Sequence, residues 1–188
     1  MLASPHAMPG IVEIVPYDAE WPLHFAELGA SVRAMCGDTA RRIDHIGSTA
    51  VAGLAAKPII DVQISVVSLE PSDMYRASLE RLGFVFRAAN PDRSKRYFRE
   101  GAGQRRTHIH VRRAGSWSEQ LNLLFRDYLR AHPTEAEQYA AMKRALAAAH
   151  RDDREAYTAA KHPFIWAVMA RADRWSQEVA WDPGPSDA

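Results

Sequence analysis

The sequence predicts an α+β fold: a mixed β-sheet with helices packed on it and a helical C-terminal segment. Three observations carry that expectation. Short runs rich in Ile and Val recur before residue 115, separated by turn residues. Apolar residues at helical spacing lie between those runs, and from Trp117 onward the whole pattern is helical. At 188 residues the chain suits one domain over 11–180, with an α/β core at 11–115 and a helical extension at 116–178. Residues 1–10 and 181–188 read as flexible tails.

Residues 11–15 alternate Val and Ile around Glu13 and suggest a short strand. Residues 19–35 place Leu23, Phe25, Leu28, Val32 and Met35 at helical spacing, with Gly37 as the stop. Strands are expected at 41–46 and 58–67, then a helix at 73–82 ended by Gly83, and a strand at 84–87. A hairpin over 95–100 and 105–112 turns at Gly101-Ala102-Gly103. Helices follow at 118–131, 134–150 and 153–177, the last broken or kinked at His162-Pro163.

The stretch from Asp44 to Gln63 carries most of the chemistry. It sets Gly47-Ser48-Thr49 between two strand-like runs, then Lys57, then Asp61 inside the second run. Small residues in such a turn let backbone N–H groups close around an anion. A carboxylate on the neighbouring strand can hold a divalent cation against a bound phosphate. The plainer alternative is a capped turn, with Asp61 serving as partner to an arginine.

Strand alternation decides which side chains share a face. Asp61, Gln63 and Ser65 fall on one side of their strand; Arg106, His108, His110 and Arg112 fall on one side of theirs. If the two strands are neighbours, Asp61, Gln63, His108 and His110 line one surface beneath the Gly47-Ser48 turn. Around the hairpin, Arg93, Lys95, Arg96, Arg99, Arg105, Arg106, Arg112 and Arg113 crowd together with Tyr97 and Phe98. Such a patch grips phosphate or, alternatively, protects an edge strand from pairing. Arg126 and Arg130 share a helix face, as do Tyr157 and Lys161.

These residues resemble the GrpB family, whose members are similar to the nucleotidyltransferase superfamily. The resemblance rests on the Asp44–Gln63 stretch, Val12-Glu13-Ile14-Val15-Pro16-Tyr17-Asp18, Thr107-His108-Ile109-His110-Val111, Phe125-Arg126-Asp127-Tyr128-Leu129-Arg130 and the run from Asp153 to Lys161. It covers about 12–164. What it implies is a nucleotidyltransferase-like sheet binding a nucleotide triphosphate and moving a nucleotidyl or phosphoryl group to an unidentified acceptor. Carried onto this sequence, Gly47, Ser48, Thr49, Lys57, Arg96, Arg106, Arg126 and Lys161 would bind substrate. Asp61, His108 and His110 would be catalytic, and Asp61, Gln63, His108 and His110 would hold a divalent metal, Mg²⁺ or Mn²⁺.

Two departures weigh against polymerase-like transfer. Gln63 stands where that superfamily has its second carboxylate, and an amide brings no charge to a hard cation. His108 and His110 take the place of a third carboxylate, and imidazole suits Mn²⁺, Fe²⁺, Ni²⁺ or Zn²⁺ better than Mg²⁺. A non-catalytic nucleotide- or CoA-related binding module is therefore the alternative, since domains of this family also occur fused to dephospho-CoA kinases.

Composition excludes several classes. A net charge of +1 gives no global field toward nucleic acid or anionic membrane, so RNA is a less favoured partner than a phosphate-bearing small molecule. The single Cys36 excludes an internal disulfide framework and a cysteine zinc site. No apolar run approaches the roughly 20 residues of a membrane helix, and the N-terminus lacks the features of a secretory signal. A cytoplasmic protein is the default expectation, and oligomeric state is not legible.

Overall fold

The computed structural model describes residues 11–188; the expected flexible tail at 1–10 lies outside them. Helix α1 (Glu20–Cys36) runs to Gly37, whose positive φ of 50° ends it before strand β1 (Arg42–Ile46). Strand β2 (Ile60–Val66) follows a long loop, then come α2 (Asp73–Arg81), β3 (Val85–Phe86), β4 (Lys95–Arg99) and β5 (Thr107–Arg113). The C-terminal helices are α3 (Trp117–Ala131), α4 (Pro133–Ala149), α5 (Arg154–Ala160) and α6 (His162–Glu178). The expected break at His162-Pro163 is the junction of α5 and α6, where proline occupies the first turn of the new helix.

The strands form one mixed sheet in the order β1-β2-β5-β4-β3, and the α+β class is as the sequence predicts. Only β2 and β5 pair in parallel; the other three pairs are antiparallel. Residues directly opposed share a face, so the register separates the sheet into two chemically distinct sides. Ile43, Ile60, Val62, Ile64, Ile109, Val111 and Phe98 build the apolar side, covered by Phe25 and Val32 of α1 and Tyr75 and Leu79 of α2. Burying aliphatic side chains of this size stabilises by about 1.5–3 kcal/mol each. The other side carries Arg42, Asp44, Asp61, Gln63, Ser65, His108, His110 and Arg112, and faces the C-terminal helices.

The connection from β1 to β2 is held between these layers. Val51, Leu54 and Ala55 pack into a second core with Tyr128 and Leu129 of α3, Tyr139 and Ala140 of α4, and Val168 of α6. Helix α3 begins with Ser116 capping the backbone N–H of Glu119. It then crosses the polar face of the sheet, where Asn122 donates to Gln63 and Arg126 reaches the carbonyl of His45.

Three local expectations change. The strand at 11–15 is reduced to one bridge between Val15 and Ala56, closed by reciprocal backbone bonds of 2.9 and 3.0 Å, with Pro16 following directly. Strand β2 starts at Ile60 because the N–H of Ile59 is spent on the carbonyl of Lys57 at 2.8 Å. The tail at 181–188 is not loose but lies along β1. The Ile43 N–H donates to Ser186 and the His45 N–H to Asp187, while the Ile43 carbonyl accepts from Ala188. An edge strand offers unpaired backbone groups, and here the tail takes them.

Candidate functional site

Between the polar face of β2, β5 and β4 and the helices α4 and α5 lies a cleft of about 510 Å³. Its floor is Asp61, His108 and His110. The parallel register places Asp61 opposite His108 and Gln63 opposite His110. The adjacency that alternation could only pose as a condition is thus present. His108 Nδ1 lies 3.1 Å and His110 Nε2 3.4 Å from the same oxygen, Asp61 Oδ1. Burial opposes ionisation of Asp61, but the hydrogen bonds from the two imidazoles outweigh it and hold the carboxyl well below the usual carboxylate range. Burial lowers His110, which favours its neutral form. The ring of Tyr97 packs against both imidazoles, 5.5 Å from His108 and 5.2 Å from His110.

The Gly47 turn closes over this floor. Gly47 has φ of 73°, and a Cβ there would stand 2.7 Å from Asp61 Oδ2, so only glycine lets the turn approach the carboxylate this closely. Beyond it, Ser48–Ala50 forms a single 3₁₀ turn. His45 fixes this turn from the apolar side: its ring stacks on Phe25 at 4.8 Å, and Nε2–H donates to Thr49 Oγ1, which in turn donates to the carbonyl of Ile59. Burial lowers His45 to about 4, which keeps it neutral in that role. From the helical side, Lys143 donates to Ser48 Oγ at 2.9 Å and to the carbonyl of Ala55, clasping both ends of the loop.

The walls are basic and aromatic. Lys57 and Lys161 each place Nζ over the ring of Tyr157, at 4.7 and 4.8 Å, and Lys143 lies 4.5 Å from the centre of Tyr139. Arg154 completes the set at the start of α5. Among the described residues, Lys57, Lys143, Arg154 and Lys161 have no salt-bridge partner, and Asp61 is the only carboxylate lining the cleft. Burial lowers Lys143 to about 7, with Lys161, Arg144 and Lys57 adding repulsion. Burial, then Lys161 and Arg154, lower Lys57 to about 8. Clustered, desolvated cations raise one another's energy, and an anion among them relieves it.

Of the residues singled out from sequence, Ser48, Thr49, Lys57, Asp61, His108, His110 and Lys161 line this cleft, and Gly47 roofs it. Four do not. Gln63 is fully buried beneath α3, its Oε1 accepting from Asn122 at 2.9 Å and its Nε2 donating to the carbonyl of Glu119. Both ends of the amide are spent there, so it offers no ligand to the floor. Arg96 alternates to the opposite face of β4 and pairs with Glu70 at 2.6 Å. Arg126 is buried among Asp187, Asp127 and the carbonyl of His45. Arg106 pairs with Glu100 at 3.2 Å and lines a neighbouring hollow that shares Lys57 and Arg154 with the cleft. Tyr139 and Lys143 also line the cleft, beyond the binding residues that the resemblance implies. The available signal was a repeated spacing: Tyr139 and Lys143, like Tyr157 and Lys161, are four apart on a helical pattern.

The family model described as GrpB protein matches residues 11–171. This chain belongs to the GrpB family. The crystal structure of the conserved protein GrpB from Enterococcus faecalis aligns with a TM-score of 0.78 at 32% identity, covering 87% of this chain and 99% of that one. A UPF0157 protein of Bacillus subtilis, YqkA, is 37% identical over 166 residues, or 88% of this GrpB-family chain. A Mycolicibacterium paratuberculosis protein named dephospho-CoA kinase is 34% identical over 92% of it. The chain spans about half the length of these last two relatives, 48% in each case.

Proposed function

We propose that the cleft binds a nucleotide or another phosphate-bearing small molecule, with its phosphates among Lys57, Lys143, Arg154 and Lys161. The observation that carries this is the four cations left without a carboxylate partner among the described residues, gathered around one turn. Ser48 Oγ and the turn's backbone stand at the same end of the cleft, where donors suit phosphate oxygens. The half-buried ring of Tyr97 at the cleft offers a flat surface for a base or ribose.

The nucleotidyltransferase resemblance implies Mg²⁺ on carboxylates, and the residues present do not fit it. Mg²⁺ demands near-octahedral oxygen coordination, while the floor offers one carboxylate and two imidazoles, with the Gln63 amide turned away. Nucleotidyl or phosphoryl transfer to an acceptor is the second reading. Its support is that two imidazoles and one carboxylate, groups of the kind that move protons, meet on the cleft floor.

Calorimetric titration of ATP, GTP, CTP and CoA into the wild type and Lys143→Met tests the binding reading. Affinity for at least one ligand in the wild type, weakened in the variant and further weakened by salt, supports it. Equal affinity in both proteins places the ligand elsewhere, and no binding by any of them removes the reading. The CoA arm matters because the mycobacterial relative is named for a CoA-precursor kinase, although this chain matches only about half of it.

A further inference from the structure

We propose that Asp61, His108 and His110 form a first-row transition-metal centre, a site for a borderline divalent cation such as Zn²⁺, Fe²⁺, Co²⁺ or Mn²⁺ rather than for Mg²⁺. The geometry comes first. Two ligands each about 2.1 Å from an ion, set between a right angle and a tetrahedral angle, lie about 3.0–3.4 Å apart. Asp61 Oδ1 lies 3.1 Å from His108 Nδ1 and 3.4 Å from His110 Nε2. All three ligand atoms fall within 4.8 Å of one another.

Without an ion, this arrangement aims two imidazole N–H groups at a single carboxylate oxygen. Among the described residues the far nitrogens, His108 Nε2 and His110 Nδ1, are buried without a partner, so the contact with Asp61 is the hydrogen bond that orients each ring. Tyr97 packs against both. An ion between the three atoms gives each near nitrogen and the carboxylate a shared partner. The second oxygen, Asp61 Oδ2, is covered by the Gly47 turn, which leaves Oδ1 as the inward ligand.

The donor set then selects the ion. One carboxylate with two imidazoles and open positions is a two-histidine, one-carboxylate set, which first-row transition ions accept and Mg²⁺ does not. The open positions face the cleft, where Lys57, Lys143 and Lys161 favour an anionic exogenous ligand. The centre sits inside the proposed phosphate site but does not depend on it, because metal alone tests it.

The experiment strips the full chain with a chelator and titrates it with CoCl₂ in the absence of nucleotide, following visible absorption. A single Co²⁺ should bind with tetrahedral or five-coordinate bands, be displaced by Zn²⁺, and persist against a large excess of Mg²⁺. His110→Ala and Asp61→Asn should each weaken Co²⁺ by more than about tenfold, since even outer-shell changes cost that much. Circular dichroism checks that each variant folds. If a variant does not fold, the wild-type histidine nitrogen resonances decide, and Zn²⁺ should shift those of His108 and His110 while leaving His45 in place. Absence of Co²⁺ binding, Mg²⁺ competing at equal concentration, unchanged affinity in folded variants, or shifts at other histidines would each overturn the proposal. Loss of nucleotide binding with Co²⁺ binding intact would remove the phosphate reading and leave the centre standing.

Discussion

The polar face of the sheet has two halves of similar composition and opposite fate. Toward β1 the strand's polar groups are paired: Asp44 with Arg42 at 2.8 Å, Arg126 with Asp187 at 2.8 Å and Asp127 at 2.7 Å, and the Gln63 amide with Asn122 and Glu119. Toward β5 and the facing helices, Lys57, Lys143, Arg154 and Lys161 surround one carboxylate and, among the described residues, make no salt bridge. The first half is a buried network that joins α3 and the C-terminal tail to the sheet. The second is an unbalanced cleft. Polarity on a strand therefore does not mark a binding site; a deficit of partners does.

That contrast breaks first, and most severely, at Arg126. Arg126→Ala removes the buried cation that Asp187 and Asp127 share and strands the carbonyl of His45; because both carboxylates are part-exposed, the cost should be about 1–3 kcal/mol. Urea unfolding should show a fall toward that range, reduced by Asp44 keeping Arg42. A variant as stable as the wild type would mean that the network is ornamental.

In the cleft the opposite response is expected. Lys143→Met should weaken the phosphate ligand by about 10- to 100-fold, the worth of a charge-assisted hydrogen bond, with a stability change smaller than that of Arg126→Ala, since removal of a desolvated charge offsets part of the lost bonds to Ser48 and Ala55. A variant that loses stability and keeps its affinity would move Lys143 into the structural half. Gln63→Leu sharpens the comparison from the other side. It should cost about 1–3 kcal/mol through the stranded Asn122 amide, with ligand affinity per folded molecule unaltered. Loss of affinity there would return Gln63 to the site.

Protons give a subtler measure. Lys143 at about 7 and Lys57 at about 8 lie below their ordinary 10.5, so between those values the native protein holds fewer protons than the unfolded chain. Stability should accordingly rise with pH across that window, the penalty of burying the charged forms being present in full below it. An anion favours the charged lysines, so its binding near pH 8.5 should take up protons. Calorimetry in buffers of different ionisation enthalpy reads this directly, and the uptake should shrink in Lys143→Met. The smallest effect belongs to Arg96, whose partner Glu70 is exposed: Arg96→Ala should leave both affinity and unfolding midpoint unmoved.

Much of the fold was legible because its signals are local. The β-branched run at β2, the glycine stop of α1 and the His162-Pro163 junction all declare themselves within a few residues. The floor of the cleft was legible through alternation, since a two-residue period places His108 and His110 on one side of their strand wherever that strand goes. Arg126 and Gln63 were misread for a corresponding reason. Whether a buried polar group is paired depends on what another element brings to it, and Asn122 and Asp187 lie 59 and 61 residues away along the chain. The C-terminal tail was misread likewise, because its polar, Pro-containing sequence carries no sign of the unpaired β1 edge that it covers.

The parallel pairing of β2 with β5 has a kinetic consequence. The other strand pairs close as antiparallel neighbours across shorter spans of chain, whereas Asp61 meets His108 and His110 only by closing loops of 47 and 49 residues. Longer closures cost more chain entropy and slow the events that need them. We expect the three floor residues to come together late, after the β4–β5 hairpin has formed. In a stopped-flow refolding experiment Co²⁺ colour should then lag the far-ultraviolet signal, and simultaneous appearance would place the parallel pairing in the early nucleus. An ion captured there would act as a clasp on the sheet's most distant pairing, so that occupancy of the cleft floor would report that the chain had finished folding.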